Sequence, residues 1–321
     1  MDPLSDILTT FTVQRVATIR FESAGPYALR FAGYDHIKFG AILTGQMRLW
    51  IEGNPVALDL GPGDCYLLTE GRPYRTSNCD DADELDGNTF FAGAREADGV
   101  IRRGEAPRDE VTIGGRFVFD EEGAAWLRTA LPPIIHIKAS SPSAGPLRRT
   151  LELLGTEAGG GALGESVVVD RLADILLVQA LRAHIAEVGV NQKSWLAGLA
   201  DPRLARALRS FHGDVAARWS VASMASTAGM SRSSFAEKFK STVGMAPLDY
   251  VTRWRMQRVR RALIETDLAF ATIAEDNGYR SRTSCSQTFK RIFGHAPQDL
   301  RTYVRPDFGE RYEDETGEKA A

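Results

Sequence analysis

The sequence predicts a multidomain α and β protein: an N-terminal β-barrel or sandwich, a helical linker and an all-α C-terminal domain. Three observations carry this. Between about residues 12 and 138, short apolar runs such as RVATIRFE, FGAILTG, MRLWIEG, VALDLGPGD and CYLLTEG are separated by Gly, Pro and Asn, the pattern of short strands bounded by turns. After Pro142, apolar residues recur every three or four positions, the helical period. Charge is divided as well: residues 201–305 hold 18 Lys plus Arg against 9 Asp plus Glu, a net +9, while the remainder of the chain is −12.

The net charge of −3 over 321 residues therefore hides a basic C-terminal segment suited to a polyanion. Hydrophobic residues at 43% and charged residues at 25% exclude a mainly disordered or collagen-like chain. Cys65, Cys79 and Cys285 stand far apart with no CxxC, which speaks against a cysteine zinc site and a secreted disulfide framework. The N-terminus, MDPLSDILTTF, is acidic and lacks the apolar core of a signal peptide. The most apolar stretch, Ile175 to Leu181, is too short to span a bilayer. A cytoplasmic protein is expected.

In the β region, Asn54-Pro55 and Gly61-Pro62-Gly63-Asp64 mark turns. Leu147, Leu151 and Leu154 then share one helical face. In the Gly-rich joint that follows, Gly159, Gly161 and Gly164 fit G-x-G-x-x-G. A helical pattern rather than a strand precedes them, so the joint reads as a flexible connector and not as a nucleotide fingerprint. The next helix, about Glu165 to Val188, carries Leu172, Ile175, Leu176, Leu177, Val178 and Leu181. These wrap well past the stripe that one core requires. One burial partner is the β domain; the other is expected to be the same helix of a second chain, across a two-fold homodimer interface. The rival is burial of both sides within one chain, between the β domain and the C-terminal all-α domain. The expected divisions are a β domain over 1–140, a helical linker and dimerisation region over 141–200, an all-α domain over 201–305 and an acidic tail over 306–321.

The all-α segment contains a repeat about fifty residues apart: MASTAGMSRSSFAEKFKSTVGMAP, from Met224, and IAEDNGYRSRTSCSQTFKRIFGHAP, from Ile273. In each copy a small Ala (Ala225, Ala274) allows close helix approach and a Gly (Gly229, Gly278) takes the turn. A Ser (Ser231, Ser281) then caps the second helix, a Gly (Gly244, Gly294) stops it, and a Pro (Pro247, Pro297) opens the next. The second copy has one extra residue after its turn glycine. This is helix, turn, helix, the unit whose second helix enters the major groove of DNA. Between the copies PLDYVTRWRMQRVRRALIE reads as one connecting helix. Its Arg253, Arg255, Arg258, Arg260 and Arg261 spread around it, each taken singly as part of a solvated face.

The runs MSRSSFAEKFKSTVGMAPLDYVTRWRMQRVRRALIETD and IAEDNGYRSRTSCSQTFKRIFGHAPQDLR resemble the AraC family of bacterial transcription regulators. Upstream, SWLAGLADPRLARALRSFHGDVAARWSVASMA, HIKFGAILTGQMRLWIEG, LDLGPGDCYLLTEGRPY, GGRFVFD and LPPIIHIKA are similar to members that carry an N-terminal cupin sensor. The resemblance implies a cupin β-barrel followed by a double helix-turn-helix whose recognition helices enter successive major-groove segments on one DNA face. Glu70 and Tyr74 stand where members of this group tend to have Pro and His, Cys285 replaces a large apolar residue, and Gln287 replaces an Arg.

Carried over by position, the resemblance implies base contacts from Ser233, Ala236 and Glu237 in the first recognition helix and from Arg282, Thr283, Ser286 and Gln287 in the second. The chemistry agrees: Arg pairs with guanine, Gln with adenine, Glu with the cytosine amino group and Ala with a thymine methyl. Arg232, Lys240, Arg280 and Lys290 are placed for phosphates, which fix register rather than sequence. For an effector pocket, His36, Arg48, Trp50, Tyr66 and Tyr74 supply the mixture of apolar and polar groups that pockets use. Only His36 and His136 fall in the β region, too few for a metal cupin, so no metal, no cofactor and no catalysis are expected. The expected partners are promoter DNA, a small-molecule effector, RNA polymerase and a second copy of the chain. The alternatives are a regulator without a ligand, controlled by its abundance, and a metal-dependent cupin enzyme fused to a DNA-binding domain.

Overall fold

A computed structural model describes residues 2–11, 15–158, 161–187 and 193–304. The chain divides into two compact units, Thr12–Val188, and Met1–Phe11 together with Gly189–Ala321. The expected acidic tail and Gly159 of the Gly-rich joint lie outside the described residues.

The chain opens on helix α1 (Pro3–Thr10), started by a Pro in its first turn and by the Asp2 side chain, which accepts from the backbone N–H of Ser5. The first compact unit then runs through β1 (Arg15–Ser23), β2 (Ala28–Phe31), β3 (Ile37–Thr44), β4 (Met47–Ile51), β5 (Leu58–Leu60), β6 (Cys65–Leu68), β7 (Tyr74–Ser77) and β8 (Glu84–Asp86). Helix α2 (Gly87–Ala94), β9 (Ile101–Arg103), β10 (Glu110–Val118), helix α3 (Glu121–Arg128) and β11 (Ile134–Ile137) follow, then α4 (Gly145–Glu157) and α5 (Glu165–Glu187). Six strands form one sheet in the order β11-β6-β3-β10-β1-β9, and five form a second, β5-β4-β7-β2-β8.

The two sheets share their apolar interior. Ile42, Tyr66 and Leu68 of the six-stranded sheet pack with Met47, Leu49, Ile51 and Leu60 of the five-stranded one. A second cluster joins Phe21 and Ile101 to Leu29 and Phe31. Period-two alternation turns the other residues outward. On that outer side Phe39 stacks on Phe117 with ring centres 4.8 Å apart, and α4 and α5 lie against β3, β1 and β11. Arg20 on β1 donates to the Gly155 carbonyl at 2.6 Å, tying α4 to the sheet.

The expected β domain of 1–140 therefore differs from the compact unit at both ends. Residues 145–187 belong with the sheets, because α5 needs both α4 and the strands to cover its apolar rows. Leu176, Leu177 and Leu181 are buried within this one chain, at 0%, 3% and 0% exposure. They cannot form the expected dimer face. Of the residues assigned to it, Ile175 is exposed and Leu172 half-buried. Between α4 and α5, Gly161 and Gly164 adopt φ of +65° and +80°, and a helix rather than a strand precedes them.

The second compact unit is helical: α1, then α6 (Trp195–Ala200), α7 (Pro202–Gly213), α8 (Val221–Ala228), α9 (Arg232–Val243), α10 (Pro247–Glu265), α11 (Phe270–Asp276), α12 (Arg282–Phe293) and α13 (Pro297–Val304). Here α1 joins the helices rather than the β domain, because its buried Asp6 is bonded to α7 and α10. Among the described residues no helix is long and apolar enough to cross a membrane.

Candidate nucleic-acid interface and effector pocket

Both repeats fold as a helix, a tight turn and a second helix, α8–α9 and α11–α12. Gly229 closes α8 at φ +67°, in the left-handed region where a side chain is strained. The Ser231 and Ser281 hydroxyls accept from the backbone N–H groups of Ser234 and Ser284, at 3.3 and 3.2 Å, and so start α9 and α12. Gly244 and Gly294 end them, and Pro247 and Pro297 open α10 and α13.

Exposure repeats with the sequence. Phe235 and Phe239 of α9 are buried, and their counterparts Cys285 and Phe289 of α12 are buried in the same positions. Cys285 thus fills an apolar site with less volume than Phe235. Facing solvent on α9 are Arg232, Ser233, Glu237 and Lys240, with Ala236 half-buried. On α12 they are Arg282, Thr283, Gln287 and Lys290, with Ser286 half-buried. Arg280 is exposed just before α12. Arg232 and Arg282 open their helices at equivalent positions. Assigning one to phosphate and the other to a base therefore rests on the resemblance and not on helix register.

On α10 the arginines are not a uniform solvated face. Arg255 donates to the Val215 and Ala217 carbonyls at 2.7–3.0 Å. Arg258 reaches Asp6 at 2.8 Å and Asn277 at 3.2 Å. Arg261 pairs with Glu265 at 2.6 Å and donates to the Thr9 carbonyl. Three of the five hold the unit together, and Arg253 is exposed.

In the β unit the expected pocket residues separate. His36 and Tyr74 each pack on Tyr34, with ring centres 5.0 and 6.0 Å away; Tyr66 lies in the same interior, against Gly40, where any Cβ would strike its ring. Arg48 does not belong: β4 turns Met47, Leu49 and Ile51 inward, leaving Arg48 outside, ion-paired to Asp59 at 2.9 Å and to Asp80 at 2.5 Å. Trp50 shares that outer face, with the Arg75 guanidinium 5.1 Å from its ring centre.

The residues that sequence reasoning missed are Phe31, Tyr34, Lys38 and Arg116. The Lys38 Nζ lies 4.6, 4.9 and 5.1 Å from the ring centres of Tyr34, Tyr74 and Phe31, and donates to the Tyr74 hydroxyl at 3.3 Å. Phe31 stacks on Tyr74 at 4.6 Å. Arg116 of β10 is the cross-strand partner of Lys38 and so shares its face. Burial, and then the charge of Arg116, lower the Lys38 ammonium to about 8. Burial, and then Lys38 and Arg116, lower His36 to about 4 against the pull of Asp35. No local signal in the sequence marks these residues: Tyr34 and His36 precede β3, and Arg116 joins Lys38 only through strand pairing. Elsewhere His136 Nε2 lies 3.2 Å from Asp64 Oδ2. Among the described residues no three His, Cys, Asp or Glu side chains are grouped to hold a metal ion.

Comparison with known proteins agrees with this architecture. Residues 2–186 match the family model described as Cupin, and residues 224–303 match that of a helix-turn-helix domain. An AraC-like transcription regulator of Streptomyces lividans is 38% identical over 303 residues, covering 94% of this chain and 99% of that protein. The chain belongs to the AraC-like transcription regulators. The regulator is also 31% identical to the HTH-type transcriptional regulator AlkR of Acinetobacter baylyi, over 94% of its own length and 99% of AlkR. Among solved structures, the DNA-binding domain of AdpA in complex with a target DNA aligns with 33% of this regulator and 94% of that chain, at 28% identity and a TM-score of 0.31. The regulator is a DNA-binding protein with a cupin domain.

Proposed function

We infer that this regulator binds promoter DNA sequence-specifically, as a homodimer in the bacterial cytoplasm, and that its cupin unit receives a small-molecule effector and catalyses no reaction. The observation that carries the reading is the repeated exposure of α9 and α12: the same positions are buried, and the same positions face outward with polar and cationic side chains. Base readout falls to Ser233, Ala236 and Glu237, and to Arg282, Thr283, Ser286 and Gln287. Arg232, Lys240, Arg280 and Lys290 anchor phosphates; none of these four has an ion pair among the described residues. Two such helices in one unit read half-sites about one helical turn, roughly 10 base pairs, apart. Effector binding shifts the balance between two states of the regulator, which changes its engagement with RNA polymerase at the promoter.

Selection of bound fragments from a random DNA pool tests the reading. The expected outcome is a bipartite motif whose affinity falls with salt by about 0.9 in log units per neutralised phosphate. Recovery of no motif, or an affinity independent of salt, overturns it. A small-molecule screen for altered affinity to the selected fragment tests the sensor.

A further inference from the structure

On the six-stranded sheet two cations stand side by side, Lys38 and Arg116 on paired strands. Neither has a carboxylate partner at ion-pair distance among the described residues. The nearby acids are engaged or outside: Glu70 is paired with Arg72 at 2.6 Å, and Asp35 is fully exposed, 3.5 Å from His36. The Nε of Arg116 and the Nε2 of His36 are buried atoms without a hydrogen-bond partner. The unpaired Nε–H of Arg116 is a buried donor and therefore costly, and like charges repel in a partly desolvated site. An anion relieves both. The wall around Lys38 is aromatic, with Phe31 stacked on Tyr74, Tyr34 edge-on to Tyr74 at 6.0 Å, and Phe91 against Phe31 at 5.5 Å. Because the Tyr74 oxygen accepts from Lys38, its own proton is free to point elsewhere.

We propose that this cluster binds an organic carboxylate with a flat apolar body, its carboxylate held by Lys38, Arg116 and the Tyr74 hydroxyl and its body laid on the Phe31–Tyr34–Tyr74 wall. The assignment rests on reading the cupin unit as a sensor and names the class of effector it senses. Partial desolvation of both cations should disfavour neutral analogues, since only a charged ligand recovers its cost.

The test uses the full-length protein with benzoate, phenylacetate and cinnamate, each beside its uncharged amide, and with acetate and inorganic phosphate as anions lacking the apolar body. Thermal melting and direct titration are the readouts. The expected result is a raised melting temperature with the three arylcarboxylates and little effect from the amides, acetate or phosphate. Lys38→Met and Arg116→Met should each weaken arylcarboxylate binding about tenfold or more, while Arg116→Lys retains part of it. If Lys38→Met fails to fold, Lys38→Gln and the Arg116 pair decide the matter. Equal binding of amides, equal binding of acetate or phosphate, undiminished binding in the folded variants, or no binding by any arylcarboxylate overturns the proposal. Affinity for the selected DNA fragment is measured in parallel. Arylcarboxylate binding that is lost in the variants, but that leaves the wild type's DNA affinity unchanged when the ligand is added, keeps the site and removes the sensor reading; loss of the site alone leaves that reading to the wider screen.

Discussion

Asp6 Oδ2 lies 2.6 Å from His212 Nδ1, joining side chains 206 positions apart in sequence. The same carboxylate accepts from Trp254 Nε1 at 2.9 Å and from Arg258 at 2.8 Å, and His212 Nε2 meets the Tyr250 hydroxyl at 2.8 Å. Burial lowers the pKa of His212 and so favours the neutral ring, with Nδ1–H donating to Asp6 and Nε2 accepting from Tyr250. Burial alone would raise the Asp6 carboxyl, but the donors from His212, Arg258 and Trp254 outweigh it and hold it below the ordinary range. One acid on α1 thus fastens α7 and α10, and through Arg258 it reaches Asn277 beside α11.

Asp6→Ala leaves these donors without their acceptor inside the helical unit. It should cost ~3 kcal/mol, the scale for breaking one side of a buried charged network, read as a lower melting temperature. Since the folded-state pKa is depressed, the stability from Asp6 is present above its unfolded value of 3.8 and lost as pH falls below it. The wild type should therefore lose stability on acidification more steeply than Asp6→Ala; parallel curves for the two proteins would refute the role.

Glu110 behaves oppositely. Its side chain is buried beside Tyr27, which donates to one carboxyl oxygen, while the other has no partner. Burial dominates and raises its pKa to about 7, against the hydrogen bond from Tyr27. A raised carboxyl contributes stability that is complete below its unfolded pKa of 4.5 and is lost as pH rises through about 7. Glu110→Gln should flatten the decline in melting temperature between pH 5 and 8; an unchanged slope would show that another group sets it.

Helix α5 offers a contrast between two neighbouring faces. Leu177 is buried at 3% exposure and Ile175 is exposed at 46%. Leu177→Glu should unfold the β unit, because a carboxylate would sit in an apolar core. Ile175→Glu should leave the melting temperature within ~0.5 kcal/mol of wild type and shift sedimentation from dimer towards monomer. Sedimentation of Ile175→Glu identical to that of wild type would exclude Ile175 from any homodimer contact.

At the DNA face, Arg282→Ala should cost ~1–3 kcal/mol on the selected fragment and relax preference at one base pair. Lys240→Ala should weaken specific and non-specific DNA alike and lower the salt slope by about one. Repeating the selection with Arg282→Ala checks the register of α12; an unchanged motif would place a different residue at that base.

Elements governed by local rules were legible in the sequence. The Gly229 and Gly244 stops and the Ser231 and Ser281 caps follow from spacing within a few residues, and the fifty-residue repeat doubles each signal. The alternation of β4 was legible too, but not which side faces inward. That depends on what the opposite sheet presents, and it sent Arg48 and Trp50 outward. The apolar excess of α5 showed that two partners were required; the structure supplied both from the same chain, because α4 and the six-stranded sheet both pack against it. Asp6 and the Lys38–Arg116 pair carry no local signature at all. A carboxylate near the N-terminus reads as a surface charge until the buried His212, Trp254 and Arg258 surround it, and Lys38 reads as a strand-edge cation until three aromatic rings enclose it. Short-range periodicity therefore determined the helices, strands and turns, while desolvation by distant residues decided which charges became part of the fold and of its pocket.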